Sequence, residues 1–339
     1  MSSNRNDHPP NGPLWTYGTH VVLGGAGFLG SHLCRSLADT GGTVLCVDNL
    51  ITGSLRNIHS LRRLHNFDFI HADVTEVEKY ERRNIATVWN LAALASPVAY
   101  LSRPLETAWA GAEAHRAALE LATRQGARFF FAGTSEVYGD PEVHPQPETY
   151  WGNVNPLGLR ACYDESKRYG EALAMIFSRE YGLDVRLARI FNTYGPNMAL
   201  DDGRMIPAFI KAASTKSAMP IHGDGSQTRS LCFVSDLIDG LMRFMAAEPD
   251  SLPTPPVINL GNPTETTVLE VAHACWAAIH GPDVTPRTVS TAPNPDDPKR
   301  RCPDITRAKE FLGWSPEVDL EAGLLKTADY FQRRAPYQT

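Results

Sequence analysis

Thr19-His20-Val21-Val22-Leu23-Gly24-Gly25-Ala26-Gly27-Phe28-Leu29-Gly30-Ser31-His32-Leu33 decides the fold. Its first five residues read as a short buried strand. Three glycines follow in a G-x-x-G-x-x-G spacing, at Gly24, Gly27 and Gly30. A helix then opens with Leu33 and Leu37 on one face. A glycine-rich turn between strand and helix lets the backbone approach a pyrophosphate closely. The helix amino end then binds that anion. A second apolar run, Val44-Leu45-Cys46-Val47, ends in Asp48, where a carboxylate can meet an adenosine ribose. A carboxylate there disfavours a 2′-phosphate, so the pattern predicts NAD rather than NADP.

Outward from this unit, strands and helices alternate to about residue 190. Further strands are expected at 67–71, 87–91, 128–132 and 184–190, with helices at about 103–125 and 164–181. This is the order of a Rossmann-type, doubly wound parallel α/β sheet. After Asn192 the pattern breaks into Gly-, Asp- and Pro-rich loops and shorter helices. Residues 257–260 read as a strand returning to the sheet. The expected division is a loose tail at 1–18, a NAD-binding unit at 19–192 plus about 230–262, and a smaller interleaved substrate lobe. That lobe takes about 193–229 plus 263–339, and its Pro-rich basic segment 281–304 is expected to wrap a ligand. The cleft belongs at the carboxyl ends of the strands.

Composition excludes several classes. The chain has 339 residues, 42% of them hydrophobic, and a net charge of −6. No basic cluster suggests nucleic acid, and no apolar run has the length of a membrane span. The first residues lack the apolar core of a signal peptide. Six scattered cysteines stand at no metal-ligand spacing, so no metal is expected and the thiols read as reduced. A cytoplasmic location follows by elimination. His32, His115 and His222 are isolated and read as solvated or core residues.

A second stretch carries chemistry. Tyr163 and Lys167 stand four residues apart, on one face of an expected helix. Lysine's charge favours the phenolate and is expected to lower the tyrosine pKa. Such a tyrosine can take a proton from a substrate hydroxyl as hydride leaves the same carbon. Upstream, Gly133-Thr134-Ser135-Glu136-Val137-Tyr138-Gly139 follows the apolar run 129–132. Ser135 or Thr134 could hold the oxygen of that hydroxyl.

Together the glycine turn, Asp48, Thr134-Ser135-Glu136 and the Tyr163/Lys167 pair resemble the extended short-chain dehydrogenase/reductases. More selective runs resemble the UDP-glucuronate decarboxylase (UDP-xylose synthase) branch. They include Thr134 to Gln146, Tyr150-Trp151-Gly152, Arg160 to Arg168, Arg189 to Pro196, Gly225 to Arg229 and Asp296 to Asp304. The resemblance spans roughly 19 to 332. It implies a three-step reaction on UDP-glucuronate. The sugar is oxidised at C4, the resulting β-keto acid loses CO2, and hydride returns to give UDP-xylose. Tyr163 would act as base, and Lys167 would also bind the nicotinamide ribose. Thr134 and Ser135 would hold the C4 oxygen as it becomes an enolate.

The resemblance places Glu136 near the substrate carboxylate, with a role in decarboxylation or a purely structural one. Arg301 would contact the substrate and deliver the C5 proton through water, or bind phosphate. Arg229 and Asn192 match pyrophosphate positions and Arg204 belongs to the same region, with surface solvation the alternative for each, and Arg160 could meet the glucuronate carboxylate. The cofactor set it implies is Gly24, Gly27, Phe28, Leu29, Gly30, Asp48, Asn49, Asp73, Val74, Leu91, Ala92 and Ala93, with Tyr163 and Lys167. A homodimer is expected through the two long helices, with Ala117, Ala118 and Leu121 facing a copy or else the sheet. Three departures stand out. They are the shortened run Asn90 to Tyr100, Gly111 in place of an asparagine, and Gly133 in place of a serine. They bear on whether the last hydride step completes, and escape of the intermediate would release UDP-4-keto-pentose. The competing readings are a 4-epimerase, which would not need Glu136, and a 4,6-dehydratase, which shows an Asp-Glu pair after its threonine. A non-catalytic dinucleotide sensor is the reading outside the enzymes.

Overall fold

Seven short apolar runs build the centre of the molecule. The computed structural model describes residues 14–82, 84–291 and 300–334. The strands are β1 (Thr19–Leu23), β2 (Thr43–Asp48), β3 (Phe67–His71), β4 (Ile85–Asn90), β5 (Arg128–Thr134), β6 (Val185–Ile190) and a last one at Val257–Leu260. All pair parallel, in the order 3-2-1-4-5-6 with Val257–Leu260 outside β6. The order reverses between β1 and β4, the crevice where ligands bind in such sheets. Parallel strands are buried on both faces, and alternate side chains feed two cores. Val21, Leu23, Leu45, Val88, Phe129 and Phe131 face one layer of helices. Val22, Val44, Trp89, Phe130 and Ala132 face the other.

On the first face lie α2 (Pro97–Ser102), α3 (Pro104–Trp109), α4 (His115–Gln125) and α5 (Ala161–Tyr181). The helix expected at 103–125 is therefore interrupted. Ala110–Ala114 forms a π-helical turn between α3 and α4. Its cause is close packing. A Cβ on Gly111 would lie 2.3 Å from the Ser166 Cβ of α5. Ala117, Ala118 and Leu121 are buried in the chain's own core. Ala118 and Leu121 pack in the core on the sheet, so these side chains are covered by the chain itself.

On the second face α1 (Phe28–Asp39) packs beside the helix Val234–Ala246. The helices Met205–Ser214, Val268–His280 and Leu320–Arg334 cluster at the carboxyl ends of the strands with three two-stranded ribbons. One ribbon pairs 288–291 with 219–222. Within the segment expected to wrap a ligand, 292–299 lie outside the described residues. So do residues 1–13 of the expected tail. Residues 14–16, by contrast, form a turn that seats Trp15 against Trp89, because the indole finds an apolar partner there. Among the described residues no helix is long and apolar enough to cross a membrane.

Candidate active site

The glycine turn works because no side chain fits in it. A Cβ on Gly30 would sit 2.2 Å from the Gly24 carbonyl oxygen, and Gly24 itself holds φ +77°. These clashes are with backbone, so they cannot be relieved by a rotamer. The turn is thus bare main chain leading into the amino end of α1, a seat for an anion. At the tip of β2 the Asp48 carboxylate accepts from the amides of Ala26 at 2.9 Å and Leu50 at 2.8 Å. Burial pushes its pKa above the ordinary value. Asn49 donates to Asp73 at 2.9 Å and links the next loop to this one.

From this turn a cleft of about 1040 Å³ runs along the strand ends to Arg229 and His222. Every residue expected to hold the cofactor lines it, as do Thr134, Ser135, Glu136, Arg160, Asn192, Arg204 and Arg229. Arg301 does not. The bare turn and the carboxylate at the tip of β2 fit a dinucleotide, and the cleft continues beyond them to Arg229 and His222.

β5 runs two residues further than its apolar stretch implies, so Thr134 is its last residue and Ser135 opens the turn that follows. Thr134 hydrogen-bonds the Tyr163 phenol and accepts from the Glu136 amide at 3.3 Å. Lys167 directs its ammonium to the Ala132 carbonyl at 2.8 Å and lies 5.8 Å from the centre of the Tyr163 ring. The expectation of a lowered tyrosine pKa is not met. Burial, and then the charge of Glu136, push the phenol well above its ordinary value. Lys167 is buried as well, and burial lowers its own pKa to about 8. It spends its charge on a backbone carbonyl rather than on the phenol.

Glu136 is held by two guanidiniums, Arg160 at 2.5 Å and Arg301. Burial alone would raise its pKa, but Arg301 and Arg160 outweigh burial and hold it below the usual carboxylate range. Arg301 is buried behind Glu136 and also donates to the Gly139 carbonyl at 2.9 Å. Any contact it makes with a ligand passes through Glu136 or requires movement. Arg204 reaches the Ala95 carbonyl at 3.0 Å, and Arg229 the Thr228 carbonyl at 2.8 Å.

Two residues support the site in ways the sequence did not assign, His115 being expected there only as a solvated or core residue. Tyr100 of α2 stacks on Tyr163, with centroids 5.2 Å apart and planes at 11°, and so fixes the ring's face. His115 joins β4 to α5. It accepts from Asn90 Nδ2 at 3.0 Å and donates from Nε2 to the Gly170 carbonyl at 2.9 Å, the tautomer being set by those partners. Burial drops its pKa to about 3, so it stays neutral. It supplies the tie between strand and helix for which an asparagine was expected at Gly111. Gly133 is similarly constrained, since a Cβ there would lie 2.8 Å from the Ala188 carbonyl oxygen. Away from the cleft wall, donor atoms of His144, Glu265 and Cys302 lie within 4.8 Å of one another. The Arg300 guanidinium already sits on the first two, at 2.9 and 3.2 Å.

Comparison with known proteins bears on this geometry. Residues 20–261 match the NAD dependent epimerase/dehydratase family. The chain belongs to that family. UDP-glucuronic acid decarboxylase 2 of Arabidopsis thaliana is 48% identical over 92% of this chain and 68% of its own length. UDP-glucuronic acid decarboxylase 1 of Danio rerio is 44% identical over 94% of this chain and 73% of its own. Among solved members of the family, the UDP-glucuronic acid 4-epimerase of Bacillus cereus, in complex with UDP-glucuronic acid and NAD, superposes with a TM-score of 0.81. It is 25% identical and covers 93% of this chain and 99% of its own.

Proposed function

We propose that this chain is an NAD-dependent UDP-glucuronate decarboxylase that forms UDP-xylose. What carries the reading is the identity of up to 48% with named decarboxylases over more than nine-tenths of the chain. The solved 4-epimerase that acts on the same acid shares only 25%. The site supports it chemically, with a buried acid–guanidinium cluster beside a Tyr/Lys pair.

NAD would be held along the glycine turn by Gly24, Gly27, Gly30 and Asp48, and would supply the hydride acceptor and donor and a positive charge. Tyr163, kept protonated by burial and the Glu136 field, would be favoured as the phenolate by that charge. Tyr163 Oη then takes the proton of the C4 hydroxyl, while Thr134 and Ser135 hold that oxygen. In the 4-ketone the C5–carboxylate bond lies β to the carbonyl. Its electron pair moves into the carbonyl as CO2 leaves, and the resulting enolate oxygen is stabilised by the same hydroxyls. Arg160 is placed to hold the carboxylate before it leaves. Glu136 holds Arg160 and Arg301 in place and can orient a water for protonation at C5. Asn192, Arg204 and Arg229 serve the pyrophosphate end, where a guanidinium fork suits phosphate.

We further infer that the sugar nucleotide occupies a lobe of about 193–229 plus 263–339, against a NAD-binding unit of 19–192 plus about 230–262. The six cysteines are unpaired thiols, which supports a reducing, cytoplasmic setting. A homodimer is proposed from apolar residues exposed on α3 and α5.

Incubation with UDP-glucuronate and NAD, read by mass spectrometry of the sugar nucleotides, tests the reading. Loss of CO2 with hydride restored is the expected result. A ketone or its hydrate beside UDP-xylose would mean that the last step leaks. Unchanged mass with inverted C4 would replace the decarboxylase by an epimerase.

A further inference from the structure

Asp164 is an acid that none of these steps uses. It stands in the first turn of α5, directly after Tyr163, and is 7% exposed. Its Oδ1 is buried and meets no hydrogen-bond donor among the described residues. Its Oδ2 lies 4.0 Å from Arg160 Nε. Asp164 does not line the cleft, whereas Arg160 and Glu136 do. The cluster therefore has a front row, Glu136 and Arg160, and a back row, Asp164 and Arg301.

Among the described residues, the charged groups that face Asp164 come from three places, beside the phenol of its neighbour Tyr163. Glu136 comes from the turn after β5, Arg160 and Glu165 from the start of α5, and Arg301 from the C-terminal segment. Fully ionised, the two buried carboxylates and two guanidiniums balance. A sugar carboxylate brought to Arg160 adds one negative charge to these four groups in a buried place, which is costly. One added proton restores the balance. Glu136 is a poor acceptor, because both guanidiniums grip its ionised form. Asp164 has an oxygen without a donor, and burial and the Glu136 charge already raise its pKa to about 7.

We propose that Asp164 takes up a proton when the carboxylate of the sugar nucleotide reaches Arg160, so that a residue behind the cleft wall sets the affinity for an acidic sugar. The proposal rests on the decarboxylase reading above and deepens it. Asp164 is a positioning residue, acting through Arg160.

The test is calorimetric binding to the NAD-loaded full chain between pH 7 and 8.5. A Tyr163→Phe background prevents turnover, and UDP-glucuronate is compared with UDP-glucose. Titration common to both ligands, such as that of Lys167, cancels in the comparison. Affinity for UDP-glucuronate is expected to fall relative to UDP-glucose by about tenfold per pH unit, the slope of one linked proton. Adding Asp164→Asn, which imitates the protonated acid, should flatten that difference and keep UDP-glucuronate tight. An unchanged slope in Asp164→Asn overturns the proposal, and so do equal slopes for the two ligands. Should Asp164→Asn fail to fold, proton uptake decides. Measured at pH 8 in buffers of differing ionisation enthalpy, it should be close to one for UDP-glucuronate beyond that for UDP-glucose, and no excess overturns the proposal. If UDP binds and UDP-glucuronate does not, at any pH, the decarboxylase reading itself fails.

Discussion

Tyr163 rests with its proton on, and the residues around it say what must change before it can act. Its phenol is buried, faces Glu136, and receives a hydroxyl from Thr134. Replacing it by phenylalanine should lower oxidation at C4 by about a thousandfold or more, within the range for loss of a positioned base. UDP binding should stay within about twofold, since the ring and its stacking on Tyr100 remain. Full turnover by Tyr163→Phe in single-turnover assays would remove Tyr163 from its role. Lys167 gives a pH prediction whose sign follows from burial. Its folded value is lowered from 10.5 to about 8, so it loses its charge as pH rises through 8. The profile of kcat/KM should therefore fall on an alkaline limb near pH 8, and a profile flat to pH 9.5 would contradict this. Glu136→Gln leaves two guanidiniums facing a neutral amide. It should slow CO2 release more than formation of NADH, as read by rapid mixing, and equal slowing would reduce Glu136 to a structural acid.

At the scale of elements, what was legible in the sequence is what local rules dictate. The turn at Gly24–Gly30 could be read because its demand, main chain with no Cβ, is written in the residues themselves. The Tyr163/Lys167 pair could be read because helical spacing places both on one face. The π turn at 110–114 could not, because its cause lies on another element, where Gly111 meets Ser166. Nor could the His115 bridge to Asn90 and Gly170, which needs three elements folded together. The contact at Gly111 is testable. Gly111→Ala should destabilise the protein by about 1–3 kcal/mol, the usual cost of overpacking, seen as a lower midpoint in urea. Adding Ser166→Gly opens the space opposite and should return part of that loss. Additive losses in the double variant would show that Gly111 matters for some other reason.

At the scale of the whole molecule, the balance between inner and outer faces is what the sequence left undecided. An apolar helical face reads alike whether a sheet or a second chain covers it. Ala118 and Leu121 turn out to be covered by this chain's own sheet. The surface left over carries Leu105 and Trp109, one turn apart on α3, and Tyr169 and Ile176, two turns apart on α5. Leu105 is 63% exposed and Trp109 56%, and α3 packs directly on α5. Exposed large apolar groups on adjacent helices mark an interaction face, and a two-fold axis can bring one such face onto its own copy. Light scattering should accordingly give twice the 37.3 kDa of the chain. Trp109→Glu with Ile176→Glu places charges in the middle of that face and should give a monomer that keeps its far-ultraviolet circular dichroism. Neither position lines the cleft, so the monomer should still bind NAD. If the double variant remains a dimer, the contact lies elsewhere on the molecule, and if the unaltered chain is a monomer, these four side chains serve no copy of it.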